Sequence, residues 1–214
     1  MRFGDDFCTH RCACLEDHHD PRLIVVTGGP GAGKTAVLEM ARRSLCRHVL
    51  VLPEAAGIVF GGGFPRRSTG PARRASQRAI YHIQRELERL HVDEQQAAVI
   101  LCDRGTLDGV AYWPGLSDEF FAELGIDQAT EIGRYHAVIH LRTPTADQGY
   151  DHSNPLRVEG AAQASEIDDQ IELAWRDHPR RTIIDSAVDF PTKARHALEA
   201  ISTGLPACCD PVRA

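Results

Sequence analysis

The feature that most constrains this sequence is a glycine-rich loop between a strand pattern and a helix pattern. The loop has the spacing Gly-x4-Gly-Lys-Thr and consists of Gly28, Gly29, Pro30, Gly31, Ala32, Gly33, Lys34 and Thr35. Residues 22–27 before it are a β-branched run typical of a buried parallel strand, and residues 34–46 after it have apolar residues at helical spacing. Successive N–H groups of such a loop point inward at the start of a helix, where they bind phosphate oxygens. The sequence therefore predicts a phosphate-binding loop.

Two side chains of this loop have predicted roles in binding a nucleoside triphosphate. Lys34 supplies a positive charge to the β- and γ-phosphates, and Thr35 offers a hydroxyl group to Mg²⁺. Lys34 and Lys193 are the only lysines of the sequence, so a lysine at this position is informative. We therefore expect ATP and Mg²⁺ as cofactors.

The rest of the chain alternates strand and helix patterns, which predicts an α/β fold with a parallel sheet between two layers of helices. The predicted strands are 22–27, 49–52, 97–102, 137–141 and 182–185, and the predicted helices are 34–46, 73–90, 162–176 and 191–201. Residues 57–71 contain three consecutive glycines and two prolines, which predicts a loop. We expect a single domain over 21–203, with a flexible N-terminal extension (1–20), a lid (about 142–162) and a C-terminal tail (204–214).

Composition restricts the classes of binding partner and the cellular location that we expect. The net charge of -6 argues against a nucleic-acid surface, which is usually basic. No apolar run is long enough for a membrane span, and the first residues lack the apolar core of a secretory signal, so we expect a cytoplasmic protein.

The odd number of cysteines, 7, argues against a disulfide framework. Cys46 and Cys102 are expected as core residues. The polar N-terminus carries a cluster of cysteines and histidines without the paired spacing of zinc sites (Cys8, His10, Cys12, Cys14, His18, His19). A solvated terminus is expected, and a metal site is the alternative.

Two classes of phosphate-loop protein are disfavoured by the sequence. A GTPase needs an Asn-Lys-x-Asp guanine reader, and neither lysine lies in one. A motor ATPase usually has a glutamate after the aspartate that ends the third strand, but Asp103 is followed by Arg104, which does not act as a base. Phosphoryl transfer to a small acceptor remains as the predicted activity.

Such a transfer needs one carboxylate for Mg²⁺ and a second carboxylate to accept a proton from the acceptor. Glu54 and Asp103 follow neighbouring strand patterns and supply the two groups, because ligands of parallel sheets bind at the carboxyl ends of the strands. The residue types leave the roles open. We favour Glu54 as the base at the acceptor site and Asp103 as the group on the metal side.

The acceptor is expected between Glu54 and the helix over 73–90. An apolar stripe of Ile80, Ile83, Leu87 and Leu90 predicts the buried face of this helix, and polar residues at its edge are candidate acceptor ligands: Arg73, Gln77, Tyr81 and Gln84. The polar segment after the fourth strand has the composition of a lid that excludes water. Its arginines, Arg142 and Arg157, are predicted to close on the transferred phosphate.

The motifs together resemble a known family. They are the loop over 28–35, Leu-Pro-Glu54-Ala-Ala, Gln77-x6-Gln84 and Cys-Asp103-Arg104-Gly-x2-Asp108-Gly. This combination resembles small AAA-type P-loop domains of the nucleoside-kinase-like branch, which includes the ribosylnicotinamide kinase domain of bifunctional regulators of NAD synthesis. Asn154-Pro155-x-Arg157-x-Glu159 followed by Trp175 is similar to the lid and the next helix of that group.

The resemblance covers about residues 22–202 and implies an ATP-dependent kinase-like fold with strand order 2-3-1-4-5. It implies that Arg104 contacts phosphate or substrate, as in the Asp-Arg pair of nucleoside and nucleotide kinases. It does not name the acceptor, since no acceptor-binding positions carry over one by one. We expect a kinase for a small acceptor, with nucleoside-like molecules among the candidates. The alternatives are a nucleotide-dependent switch or regulatory ATPase acting on a protein partner, and a module that binds ATP without turnover. The oligomeric state is not indicated.

Overall fold

The protein is described from a computed structural model, which covers residues 18–144, 160–186 and 189–209. Five strands form one sheet: β1 (Arg22–Thr27), β2 (Val49–Leu52), β3 (Val99–Asp103), β4 (Ala137–Leu141) and β5 (Arg181–Ile184). The larger helices are α1 (Lys34–Ser44), α2 (Ala55–Gly61), α3 (Gly70–Glu94), α5 (Ser117–Leu124), α7 (Ala161–Ala174) and α8 (Phe190–Thr203). The shorter helices are α4 (Gly109–Tyr112) and α6 (Gln128–Gly133), with 3₁₀ turns at Thr106–Asp108 and Ala207–Cys209.

All strand pairs are parallel and the strand order is β2-β3-β1-β4-β5. The predicted fold class and strand order are confirmed. β1 lies at the centre of the sheet, with Val26 opposite Asp103 of β3 and Thr27 opposite His140 of β4. The glycine-rich loop therefore leaves the middle of the sheet at its carboxyl edge, beside the end of β3.

Side chains of the central strands alternate between two cores, as expected for a period of two residues. Ile24 and Val26 face one core, which contains residues of α1 and α8. Leu23 and Val25 face the other core, which contains Trp175 after α7. Because both faces of the sheet are covered, the central strands β1 and β3 are apolar along most of their length, and this is why short apolar runs predicted them.

Helix α3 differs from its predicted form. Its buried residues are not the apolar stripe but a polar row of Ser76, Gln77, Tyr81, Gln84 and Glu88. Leu90 of the predicted stripe is instead 51% exposed. Buried polar side chains are tolerated where hydrogen bonds satisfy them, and these come here from α3 itself and from Glu131 of α6. The predicted loop over 57–71 was also partly wrong, since α2 extends to Gly61 and α3 begins at Gly70.

Several predicted regions fall partly or wholly outside the described residues. These are most of the N-terminal extension with its cysteines, most of the lid with Arg157, and the end of the C-terminal tail. The domain boundaries and the lid stay predictions. None of the helices in the described ranges combines the length and the apolar character that crossing a membrane requires.

Candidate functional site

The glycine-rich loop packs closely against the strand next to it. Gly28 has a φ of 134°, and a Cβ atom there would clash with the carbonyl oxygen of Leu141. Gly29 is also enclosed, since a Cβ atom would lie 2.5 Å from Oγ1 of Thr143. Only glycine allows this approach of the loop to β4 and the segment that follows it. The close packing restricts the backbone of the loop to one conformation, which curves around the space where phosphates would bind.

Lys34 is buried within this curve. Its Nζ donates to the carbonyl oxygens of Gly28, at 2.8 Å, and Gly29, at 2.9 Å. Burial and, secondly, the positive charge of Arg104 lower the pKa of Lys34 from 10.5 to about 7. An anion in the loop would give this ammonium group a stronger partner than two carbonyl groups, and would raise its pKa again.

Arg104 connects the loop with the carboxylates beside it. Its Nε donates to Oε1 of Glu54 at 2.7 Å, and its Nη1 lies 3.2 Å from both the carbonyl oxygen of Gly28 and Oδ2 of Asp108. Its backbone has a φ of 75°, a left-handed conformation that is uncommon for a residue other than glycine. Such conformations cluster at functional sites, because surrounding contacts must stabilise them. Arg104 thus lies at the centre of the candidate site.

The two predicted catalytic carboxylates have pKa values shifted in opposite directions. Burial opposes ionisation of Glu54, but the charge and hydrogen bond of Arg104 dominate and lower its pKa. Burial raises the pKa of Asp103, the carboxylate of Glu54 adds to this, and the charge of Lys34 counteracts it. Two neighbouring carboxyl groups with different proton affinities are typical of sites that move protons.

Asp108 belongs to the site, although the sequence indicated it only as part of the family motif. Its Oδ2 accepts from Oγ1 of Thr27 at 2.5 Å, and its Oδ1 accepts from Nε1 of Trp175 at 2.8 Å. With Arg104 as a further partner, this carboxylate joins β1, β3 and the end of α7. Asp108 therefore positions Arg104 relative to the loop.

Asp168 on α7 holds the loop from the opposite side, and no sequence pattern indicated it. Its Oδ1 accepts from the N–H of Gly29 at 2.7 Å and from Nε2 of His140 at 3.0 Å. Its Oδ2 accepts from the N–H of Thr143 at 3.2 Å and pairs with Arg142 at the same distance. Burial opposes ionisation, but the hydrogen bonds from His140, Gly29 and Thr143 lower the pKa of Asp168. The sequence did not indicate this contact because Asp168 lies 139 residues after Gly29.

Replacing Asp168 by Asn should lower the free energy of unfolding by about 2–3 kcal/mol, because an amide turns a donor toward N–H groups that need an acceptor. Asp169→Asn is the matched control, since the Asp169 side chain is 59% exposed and its carboxylate pairs with Arg142. The control should change stability by less than about 0.5 kcal/mol. Urea unfolding followed by circular dichroism measures both. Equal losses in the two variants would show that Asp168 is not a specific anchor of the loop.

Two of the predicted acceptor ligands contact protein carboxylates. The hydroxyl group of Tyr81 donates to Oε1 of Glu131 at 3.1 Å. Nε2 of Gln84 donates to Oε1 of Glu88 at 2.7 Å. Arg134 pairs with both of these carboxylates, so the group forms one buried polar network between α3 and α6. This network explains the polar face of α3, and an acceptor role for Tyr81 and Gln84 stays a prediction.

The other two acceptor candidates lie nearer the start of α3. Nη2 of Arg73 donates to the carbonyl oxygen of Tyr112 at 2.9 Å, and Arg73 is exposed. Gln77 is buried, and its Oε1 lies 3.3 Å from the position that a Cβ atom on Gly109 would take. Tyr112 also lies under Arg104, whose guanidinium carbon is 5.6 Å from the ring centroid. The start of α3 is thus linked to Arg104 through α4.

Arg142 and Thr35 are two further predicted site residues that the structure describes. The guanidinium of Arg142 pairs with Asp168, Asp169 and Glu172 of α7, so it would have to leave these carboxylates to reach a phosphate. Thr35 is exposed at the first turn of α1, next to the loop. Their predicted roles stay predictions.

Comparison with known proteins identifies relatives of this fold. A family model described as AAA domain matches residues 23–193. No significant match was found among curated proteins. Among solved structures, the NadR protein in complex with NR has a TM-score of 0.64 at 16% identity. The alignment covers 87% of this chain and 52% of NadR, so this chain spans about half of that protein.

Two further solved structures are similar over most of both chains. Thymidylate kinase from Candida albicans has a TM-score of 0.60 at 14% identity, and the alignment covers 86% of this chain and 92% of that one. Deoxyadenosine kinase from M. mycoides, solved with dCMP and dCDP, has a TM-score of 0.56 at 12% identity, with 85% and 99% covered. At these identities the likeness shows a shared fold.

Proposed function

We infer the function of this protein from one premise: it belongs to the AAA domain family, whose model matches residues 23–193. We propose that it is a P-loop kinase, which transfers the terminal phosphoryl group of Mg-ATP to a small acceptor. The observation that carries the proposal is the arrangement around Arg104, whose guanidinium contacts Glu54, Asp108 and the loop carbonyl of Gly28 at once. Cations beside the phosphate loop and a carboxylate next to them are the groups that phosphoryl transfer needs.

The loop is suited to the phosphates of ATP. The N–H groups at the end of the loop and at the start of α1 provide donors, whereas the N–H of Gly29 is bonded to Asp168. Lys34 lies inside the loop, with its ammonium group bound to the carbonyl oxygens of Gly28 and Gly29. Thr35 and Asp103 are the groups on the metal side, with oxygen atoms of the kind Mg²⁺ prefers. Mg²⁺ would neutralise charge on the transferred phosphate.

In the proposed transfer, the hydroxyl oxygen of the acceptor attacks the terminal phosphorus of ATP, and Glu54 accepts the proton of that hydroxyl group. The bond to the bridging oxygen breaks, and ADP leaves. Lys34 and Arg104 stabilise the negative charge that spreads over the phosphoryl oxygens. Glu54 is ionised at neutral pH because Arg104 lowers its pKa. Its carboxylate is able to accept a proton once the acceptor separates it from Arg104.

The acceptor is proposed to lie between Glu54 and the start of α3, near Arg73 and Gln77. A nucleoside-like acceptor is favoured by the fold, since the similar structures include a deoxyadenosine kinase and a thymidylate kinase. The resemblance to ribosylnicotinamide kinase domains points the same way. Tyr81 and Gln84 would take part only if the acceptor replaced a partner in their network.

A thermal-shift screen with Mg-ATP and a panel of nucleosides, nucleotides, sugars and antibiotics tests the proposal. A ligand that binds the folded state raises the melting temperature by mass action, so the acceptor need not be known in advance. An acceptor that adds a shift to that of Mg-ATP, and that then receives labelled phosphate from ATP, supports the kinase. Hydrolysis of ATP without any acceptor, stimulated by a protein partner, would support the regulatory ATPase instead. Binding of ATP without turnover of any kind would contradict both.

Nucleotide binding should take up protons above neutral pH. The pKa of Lys34 is about 7 without a ligand, so the side chain is mostly neutral at pH 8, whereas a bound triphosphate favours its charged form. Binding at pH 8 should therefore take up close to one proton, and affinity should fall up to about tenfold for each pH unit above 7. Calorimetry at pH 8 in two buffers of different ionisation enthalpy measures the uptake.

Lys34→Arg is the control for this proton uptake. A guanidinium stays charged at all these pH values, so the variant should bind Mg-ATP without taking up the proton. Equal proton uptake in the variant and the wild type would show that another group titrates.

A further inference from the structure

Two thiols and one imidazole meet at the edge of the sheet opposite the phosphate-binding loop. Cys46 follows α1, His48 precedes β2, and Cys209 ends the last 3₁₀ turn. Their ligand atoms lie within 4.8 Å of one another, and all three residues are buried. We propose that Cys46, His48 and Cys209 bind a Zn²⁺ ion that ties the C-terminal turn to the sheet. This site is independent of the proposed kinase activity, since the loop and its carboxylates lie at the other ends of the strands.

The distances fit a tetrahedral zinc ion. Sγ of Cys209 lies 3.6 Å from Nδ1 of His48. Bonds of about 2.3 Å to sulfur and about 2.0–2.1 Å to nitrogen, at a tetrahedral angle, place two such ligand atoms about 3.6 Å apart. The separation of these two atoms therefore matches that of two ligands of one ion, and Cys46 lies within reach of the same position.

The donor atoms select the metal. Thiolate and imidazole groups are the ligands of zinc sites, whereas Mg²⁺ and Ca²⁺ prefer oxygen. The Mg²⁺ of the phosphate loop would thus not compete for this group. Three protein ligands leave a fourth position of the tetrahedron for water or a further side chain.

The backbone around these ligands is held in place. The carbonyl oxygen of His48 accepts from the N–H groups of Ala98, at 2.8 Å, and Val99, at 3.1 Å. The N–H of Cys209 donates to the carbonyl oxygen of Pro206 at 2.9 Å. The ring of His19 packs on the ring of His48, with centroids 4.5 Å apart, and shields this side of the group. A site whose ligands are already positioned loses little entropy when the ion binds.

A hydrogen bond is the competing interpretation of the same contact. Nε2 of His48 lies 3.2 Å from Nε of Arg47, which suits an imidazole with its proton on Nδ1, donating to Cys209. Zinc at Nδ1 requires the proton on Nε2 instead, so Arg47 would have to turn away. Arg47 is exposed, and its side chain is able to move into solvent. The two interpretations predict different responses to metal.

Binding of Co²⁺ and Zn²⁺ to the full chain, stripped of metal with a chelator, distinguishes them. Co²⁺ should produce visible bands of a tetrahedral site and a thiolate-to-cobalt charge-transfer band, which added Zn²⁺ removes at one equivalent. Cys209→Ser and His48→Ala should each weaken Zn²⁺ binding by more than about 100-fold in competition with a chelating dye. Cys102→Ala is the matched control, because Cys102 is a buried thiol of β3 outside the group, and it should bind Zn²⁺ like the wild type.

Because Cys209 also packs in the core, circular dichroism and urea unfolding without metal are measured for each variant, so that a loss of binding is separated from unfolding. The proposal is overturned if the wild type gives no charge-transfer band, as the hydrogen-bonded pair predicts. It is also overturned if Cys209→Ser and His48→Ala keep the band of the wild type, since other cysteines would then hold the metal.

Discussion

Replacing Lys34 by Met should lower the affinity for Mg-ATP by at least about 1,000-fold, because the loop would lose its buried cation for the phosphates. The fold should survive this change. The pKa of Lys34 is 10.5 in the unfolded chain and about 7 in the folded protein. Between pH 7 and pH 10.5 the unfolded state therefore binds one more proton than the folded state, so the buried lysine destabilises the fold in this pH range. The apo variant should therefore melt at the same temperature as the wild type or higher. Calorimetry and thermal melts measure the two effects.

Lys193→Met is the matched control for this substitution. Lys193 is the other lysine of the chain, is also buried, and donates to the carbonyl oxygen of Arg142 rather than to the loop. Its replacement should change the affinity for Mg-ATP less than about threefold, since no charge at the phosphates is lost. An unchanged affinity in Lys34→Met would remove the loop from the proposed nucleotide site.

Replacing Glu54 by Gln should reduce kcat by about 10²–10⁴-fold while the KM for ATP stays within about threefold. The amide of the substituted side chain would keep a hydrogen-bond acceptor for Arg104 but would not accept a proton. Steady-state kinetics with the acceptor found in the thermal-shift screen measure both constants. Retention of the wild-type kcat would show that Glu54 is not the base.

Asp103→Asn is the matched partner of this experiment, since it removes the neighbouring carboxylate. If Asp103 acts on the metal side, high Mg²⁺ concentrations should restore much of the lost rate, whereas Glu54→Gln should not respond to Mg²⁺. The opposite pattern would exchange the two roles. That outcome has a physical basis, because burial raises the pKa of Asp103 and makes it the stronger proton acceptor of the two.

Helix α3 shows why part of the fold was predictable and part was not. Its helical period was correct, because periodicity depends only on residue spacing along the chain. Its buried face was predicted wrongly, because burial of this polar row depends on α6. Glu131 accepts from Tyr81, and Arg134 pairs with Glu88, which is the partner of Gln84 within α3. Gln77, Tyr81 and Gln84, which were predicted to lie at the edge of the apolar stripe, lie on the buried face of the helix.

The loop over 28–35, the five strands and their alternation with helices were determined by the sequence itself. Each depends on neighbouring residues: a glycine spacing, a β-branched run or an apolar period is complete within a few turns of chain. The strand order followed from the resemblance that these local motifs carry, and the sheet confirms it.

The contacts that surround the loop were decided only by the tertiary structure. Gly29 meets Asp168 across 139 residues of the chain, and Arg104 meets Glu54 across 50. No local pattern specifies such pairs, since they form only when the sheet brings strand ends and helix faces together. Local spacing thus determined where phosphate can bind, and the packing of distant segments decided which side chains surround it.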